Sequence, residues 1–168
     1  MKTILILALL LPLQIQAQIE VPPNPEDPES MIKQIYTEVS SEGDKEVDWD
    51  KVRSFFVEEA IVVLQTSRDG STLFTLEEFI QDFKNFYASP AAKGSGFREK
   101  VLRTKSHVYA DMAYIGVVYE AQILNSDRPA QKGIDFWLLQ RMEKGWKVVA
   151  VTNQIIAPGQ EIPTMFQN

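Results

Sequence analysis

Cysteine is absent from the 168 residues, and histidine is nearly absent, since His107 is the only one. Without cysteine the chain can form no disulfide, thiolate nucleophile or thiolate metal ligand. A metal site with two histidine ligands is excluded within one chain, and a Ser-His-Asp triad would have to use His107. Alternation along its strand predicts that His107 lies at the surface. We therefore predict neither a metal site nor a cofactor.

Basic residues are in the minority, with 17 Lys and Arg against 23 Asp and Glu and a formal net charge of −6. A nucleic-acid-binding surface needs clustered basic residues that displace counterions from phosphate. The basic residues between positions 98 and 105 instead alternate with acidic and apolar residues. The sequence thus predicts no nucleic-acid partner.

Long hydrophobic runs are scarce, and the longest extends from Ile4 to Leu13 with Pro12 inside it. This run is roughly half the length of about 20 apolar residues that a spanning helix needs, so no membrane span is predicted. Lys2 before the run and Ala17 after it are typical of a secretory signal. We predict a signal peptide at residues 1–17, cleaved near Ala17, and an exported protein in the periplasm or outside the cell.

The remaining chain has the length and composition of one globular domain, with 45% hydrophobic residues overall. Residues 18–27 contain three prolines and are predicted to form an extended lead-in. Residues 28–157 are predicted to form the domain, and residues 158–168 a C-terminal tail.

Three helices are predicted in the first half of the domain. Asp27 and Pro28 are typical of a helix start, and Gly43 is predicted to end that helix. Asp48 is predicted to cap a second, short helix. Thr75 and Glu78 have the spacing of a capping box before a third helix with an aromatic stripe.

The second half of the domain is predicted to be a sheet. One strand of the sheet, Ala60–Thr66 with a turn at Arg68–Ser71 after it, is predicted earlier in the chain, before the third helix. Four long segments rich in β-branched and aromatic residues follow, separated by short turn sequences, as is typical of an antiparallel meander. They are Phe97–Tyr109, Met112–Leu124, Gly133–Met142 and Trp146–Ile156. Helices followed by a long antiparallel sheet predict an α+β fold.

Several short motifs, in this order, resemble those of the NTF2-like superfamily, which includes ketosteroid isomerase, scytalone dehydratase and SnoaL-type cyclases. In chain order the motifs are Phe55–Ala60, Phe74–Phe79, Gly96–Glu99, Tyr109–Ala113 and Gly145–Val148, with Gly133 before the third long strand. The resemblance covers about Met31 to Ala157, and the chain is most similar to exported and cytoplasmic members that have no agreed activity. It implies a cone-shaped half-barrel, in which N-terminal helices pack on a curved, mostly antiparallel sheet around a pocket.

In enzymes of this superfamily, acid and base groups project into the cone from the first helix and the concave sheet face. The resemblance implies Glu99 and Asp135 as candidate catalytic carboxylates. Period-two alternation places Glu99 with Arg103 on one face, and Asp135 with Trp137. The predicted pocket residues are Tyr36, Phe83, Tyr87, Arg103, Tyr119, Trp137 and Asn153. A simpler interpretation makes the aromatic residues core and pairs the carboxylates with basic residues at the rim. The residue sets of ketosteroid isomerase and scytalone dehydratase are not found.

Three functions remain open from the sequence. The first is an exported pocket protein that binds a small, largely apolar ligand without a cofactor. The second is a cofactor-independent lyase, isomerase or hydrolase that uses Glu99 or Asp135 as a general base. The third is a homodimeric interaction module, in which the sheet face with Ile134, Phe136 and Leu138, or the opposite face, meets a second copy.

Overall fold

A computed structural model of the chain describes residues 27–43, 45–67 and 70–167. The predicted signal peptide and all but the last residue of the predicted lead-in lie outside these residues. Within the described part of the chain, no helix is long and apolar enough to cross a membrane.

Three helices precede the four strands of the meander, as predicted. Helix α1 is Pro28–Glu38, α2 is Trp49–Ser54 and α3 is Leu76–Ala88. Asp27 and Asp48 cap the first two helices, and Thr75 and Glu78 form the predicted capping box of the third. The prediction that Gly43 ends the first helix was wrong, because the helix ends at Glu38 and a short strand intervenes.

Seven strands form one curved, mostly antiparallel sheet in the order β1-β4-β5-β6-β7-β2-β3. Their bounds are β1 Ser41–Glu42, β2 Phe56–Ser67, β3 Gly70–Thr75, β4 Gly96–Tyr109, β5 Met112–Ile123, β6 Gln131–Met142 and β7 Gly145–Ile155. The four predicted long strands match β4 to β7 within two residues, whereas β1 and β3 were missed. β2 runs parallel to β7 and connects the first half of the domain to the meander.

The sheet has two faces with different covers. The inner face carries side chains such as Ile115, Val117 and Trp137, which pack in the core with residues of α1 and α3. The outer face carries Gly116 and Phe136. This arrangement places the helices on one side only, as the predicted α+β half-barrel requires.

The predicted C-terminal tail covers part of the outer face. It ends in a 3-10 turn, Thr164–Phe166, in which Phe166 is only 1% exposed. The Phe166 ring stacks on Phe136 at 6.5 Å between centroids, and a Cβ atom added to Gly116 would approach this ring to 2.8 Å. Arg103 Nη1 also donates a hydrogen bond to the Phe166 carbonyl oxygen at 2.8 Å. The tail is therefore anchored to the sheet by the ring of Phe166, which occupies the space left because Gly116 has no side chain.

Candidate functional site

A cavity of about 450 Å³ lies between the inner face of the sheet and helices α1 and α3, and it is open to solvent. Its wall is largely apolar and aromatic, with phenylalanines from α3 and β4 on one side. Tyr36, Tyr119 and Trp137 continue this aromatic wall, with ring centroids 5.8 Å (Tyr36 to Tyr119) and 5.9 Å (Tyr36 to Trp137) apart. Its volume is within the range of about 300–1,000 Å³ typical of small-molecule sites.

Asp135 on β6 is the centre of a polar cluster in this wall. Tyr36 on α1 donates a short hydrogen bond to Asp135 Oδ2, and Asn153 Nδ2 on β7 donates to Asp135 Oδ1 at 2.7 Å. Asn153 also donates to the Tyr119 hydroxyl oxygen at 2.8 Å, and Trp137 Nε1 donates to the Tyr36 hydroxyl at 3.3 Å. Side chains from α1, β5, β6 and β7 thus form one network that holds the buried carboxyl group of Asp135 in a defined orientation.

The sheet register explains why these groups meet. Asp135 is opposite Asn153 on β7 and Val117 on β5, so all three side chains share the inner face. Gly133 is opposite Tyr119, and a Cβ atom there would come within 2.3 Å of the Tyr119 hydroxyl oxygen. Gly133 therefore gives the Tyr119 ring room to lie over β6 and reach Asn153.

Glu99 on β4 also faces the cavity, and its backbone N donates a hydrogen bond at 2.9 Å to Oγ of Ser40, which follows the C-terminal end of α1. Among the described residues, none donates a hydrogen bond to the Glu99 carboxyl group or forms an ion pair with it. This carboxyl group therefore differs from that of Asp135, because its hydrogen-bonding capacity remains free for a molecule in the cavity.

Burial shifts the pKa of both carboxyl groups upward. Burial, followed by the negative charge of Asp135, raises the pKa of Glu99 to about 8. Burial raises the pKa of Asp135 to about 6, against the lowering effect of the hydrogen bonds from Tyr36 and Asn153. At pH 7 Asp135 is then mostly ionised while Glu99 mostly keeps its proton. The site holds one carboxylate and one carboxylic acid near neutral pH.

Most of the residues predicted for the site line this cavity. They are Tyr36, Phe83, Glu99, Tyr119, Asp135, Trp137 and Asn153. Tyr87 lies instead beside a second depression next to Trp49 and donates a hydrogen bond to the Val39 carbonyl oxygen at 2.6 Å.

The prediction that Arg103 shares a face with Glu99 was wrong. The register between β4 and β5 shifts between Val101 and Arg103, so that Val101 is opposite Tyr119 and Arg103 is opposite Val118. A bulge at Leu102 reverses the alternation, because one extra residue turns every later side chain to the other face. Arg103 consequently lies on the outer face with the C-terminal tail.

Sequence reasoning did not assign several cavity residues. Phe79, Phe86 and Phe97 line the wall, together with Ala121 and, at the opening, the exposed Asp82. Phe79 and Phe86 belong to the aromatic stripe predicted for the third helix. That stripe indicated which side of the helix faces the sheet. No sequence signal identified Ala121, whose small side chain contributes by leaving space.

Solved structures, but neither family models nor curated proteins, include proteins similar to this one. No protein-family model matches the sequence, and the search of curated proteins finds no match. Among solved structures, an NTF2-like protein with a cystatin-like fold from Novosphingobium aromaticivorans superposes with a TM-score of 0.60 at 12% identity, covering 83% of this chain and 86% of that one. The chain has the NTF2-like fold.

Two other NTF2-like neighbours carry functional names. A candidate ketosteroid isomerase from Parabacteroides distasonis has a TM-score of 0.54 at 15% identity, covering 79% of this chain and 91% of that one. A candidate aromatic ring hydroxylase from Novosphingobium aromaticivorans has a TM-score of 0.52 at 23% identity, covering 66% and 76%. The fold agrees with the resemblance seen in the sequence, and an NTF2-like fold alone does not assign an activity.

Proposed function

We propose that this protein binds a small, largely apolar ligand in the cavity between the sheet and helices α1 and α3. The cavity of about 450 Å³ carries the proposal, since aromatic and aliphatic side chains form most of its wall and a few polar groups converge at Asp135. Such a combination provides affinity through apolar contact and orientation through hydrogen bonds. The Tyr36 and Asn153 contacts hold the polar groups in place before a ligand arrives.

Filling the cavity tests this proposal without removing a core side chain. Ala121 lines the cavity, so Ala121→Phe is expected to weaken binding of a neutral apolar probe, such as tert-butyl phenyl ketone, by at least tenfold. Gln122→Phe is the matched control, because Gln122 is exposed and its side chain points to the opposite face. Quenching of tryptophan fluorescence measures the affinity, since Trp137 is in the wall. If Ala121→Phe binds the probe as tightly as the wild type does, the proposal is wrong.

A second candidate function is cofactor-independent acid–base catalysis as a lyase, isomerase or hydrolase. The pKa values of about 6 for Asp135 and about 8 for Glu99 favour it, because a base and an acid then coexist near pH 7. In this role the Asp135 carboxylate takes a proton from a substrate carbon. The Glu99 carboxylic acid donates its proton to the oxygen that gains charge.

Proton exchange in a simple ketone tests this second role. The wild type is expected to accelerate deuterium incorporation next to the carbonyl group of 2-indanone, with a bell-shaped pH profile between about pH 6 and pH 8. Asp135→Asn should remove the acidic limb and Glu99→Gln the alkaline limb. Exchange that neither substitution slows would exclude catalysis by these carboxyl groups.

We also propose that the protein acts outside the cytoplasm, as the N-terminal sequence pattern indicates. Expression of the full chain followed by N-terminal sequencing is expected to give a mature protein that begins near Gln18. A protein that keeps Met1 and stays in the cytoplasmic fraction would contradict export.

A further inference from the structure

The charged side chains that line the described part of the cavity are all acidic. Three carboxyl residues line it, with Glu99 and Asp135 in the wall and Asp82 at the opening, and none of the described lining residues is Lys, Arg or His. A pocket for a carboxylate, sulfate or phosphate ligand would need a basic residue or a set of backbone donors to balance the charge. The lining therefore disfavours anions.

The aromatic wall adds an attraction for positive charge. Seven aromatic residues line the cavity: Tyr36, Phe79, Phe83, Phe86, Phe97, Tyr119 and Trp137. The faces of such rings attract ammonium groups, and the attraction is stronger where the site is desolvated. An aromatic wall next to carboxyl groups is a combination that suits an amine on an apolar body.

Glu99 supplies an observation independent of the charge count. Its carboxyl group is aimed into the cavity and accepts no hydrogen bond from any described residue, whereas Asp135 accepts two. A protonated amine would donate to Glu99 and neutralise the repulsion between the two carboxylates. The groups facing Glu99 from the surrounding elements are Tyr36 on α1, Tyr87 on α3, Tyr119 on β5 and Asp135 on β6, and none of these can carry positive charge.

We propose that the ligand of this cavity is a cation, an amine or quaternary ammonium group on an apolar body, whose charged group lies against Glu99 and Asp135 among the aromatic rings. The inference depends on the proposed pocket function and deepens it by naming the ligand class. The overall net charge of −6 acts in the same direction, since it attracts cations from solution.

The proposal predicts a pH dependence with a definite sign. A permanent cation favours the ionised carboxyl groups, so its affinity should rise as Asp135 and then Glu99 ionise, through about pH 6 and about pH 8. Binding near pH 7.5 should release protons, because the cation lowers the pKa of Glu99. A neutral ketone that accepts a hydrogen bond from protonated Glu99 would show the opposite trend and lose affinity above pH 8.

The experiment compares three probes of similar size at pH 5, 7 and 9: benzyltrimethylammonium, tert-butyl phenyl ketone and 4-tert-butylbenzoate. Calorimetry is run in two buffers with different heats of ionisation, so that proton release is counted. We expect the cation to bind at least tenfold more tightly than the other two probes at pH 9, with affinity rising from pH 5. Glu99→Gln should weaken the cation about tenfold and abolish proton release. Glu120→Gln, which removes a carboxyl group outside the cavity lining, should change neither.

The outcomes separate this inference from the proposed function. If the ketone binds but the cation binds more weakly or loses affinity as the pH rises, the cation proposal is overturned while an apolar binding pocket remains. If the benzoate binds most tightly, the cation proposal is likewise overturned. If no probe binds the wild type, both the pocket function and its ligand class are wrong.

Discussion

Glu99 and Asp135 show how one site can hold two carboxyl groups in different protonation states. Both are deeply placed, yet Asp135 receives hydrogen bonds from Tyr36 and Asn153, whereas no described residue donates one to Glu99. Hydrogen bonds stabilise the charged form and burial destabilises it. The pKa of Asp135 is therefore raised only to about 6, while that of Glu99 is raised to about 8.

The unusual pKa of Glu99 predicts a dependence of stability on pH. Its ordinary value of 4.5 applies to the unfolded chain, so between about pH 4.5 and pH 8 the folded state keeps a proton that the unfolded state releases. The free energy of unfolding should therefore fall as the pH rises through this window and become level above it. The size of this contribution is on the order of a few kcal/mol.

Urea unfolding of wild type and Glu99→Gln between pH 5 and pH 9 measures this effect. Glutamine does not ionise, so the variant should gain stability relative to the wild type as the pH rises to about 8. Glu120→Gln serves as the control and should follow the wild type. If the difference in unfolding free energy between wild type and Glu99→Gln stays constant over this pH range, the raised pKa of Glu99 is wrong.

At the scale of elements, two glycines in the sheet leave room for large aromatic rings to pack against neighbouring strands. Gly133 on β6 makes room for the Tyr119 ring on β5, and Gly116 on β5 makes room for Phe166 in the tail. One glycine serves the inner face and the other serves the outer face. The strands can therefore be close to large rings on both sides without losing their hydrogen-bonded register.

Gly133→Ala is expected to destabilise the protein by about 1–3 kcal/mol, because the added methyl group displaces the Tyr119 ring. The displacement should also break the 2.8 Å hydrogen bond between Asn153 and Tyr119. Denaturant unfolding measures the cost. In a Tyr119→Val background the same substitution should cost much less, since the obstructing ring is gone. An equal cost in both backgrounds would show that another contact of the added methyl group, and not the ring, is responsible.

At the scale of the whole molecule, the outer face of the sheet is only partly covered. The tail covers the side with Gly116 and Phe136. Leu138, Ala150 and Ile61 lie in register across β6, β7 and β2 beyond it, and Leu138 and Ile61 are 48% and 45% exposed. An exposed apolar row on an open sheet favours a second cover. We propose that a second copy of the chain supplies it, as a homodimer.

Sedimentation at micromolar concentration tests the dimer. Leu138→Lys should shift the protein from dimer to monomer, because burial of a charged group in the interface is costly. Val108→Lys is the matched control, since Val108 is 52% exposed but pairs with Ala113 on the opposite face of the sheet, so it should leave the dimer intact. A wild-type protein that sediments as a monomer would remove the homodimer from consideration.

The sequence alone determined the three helices and the four long strands that follow them, in their order, but not the short strands β1 and β3. Capping residues such as Asp27, Asp48 and Thr75 mark helix starts through local hydrogen bonds, and period-two patterns mark strands, so short-range information was sufficient. Only the tertiary structure decided which side chains face the cavity. The bulge at Leu102 sends Arg103 to the outer face, and the pairing of β2 with β7 closes the inner wall. Register and bulges depend on partners distant in the chain, which a pattern read along one strand does not contain.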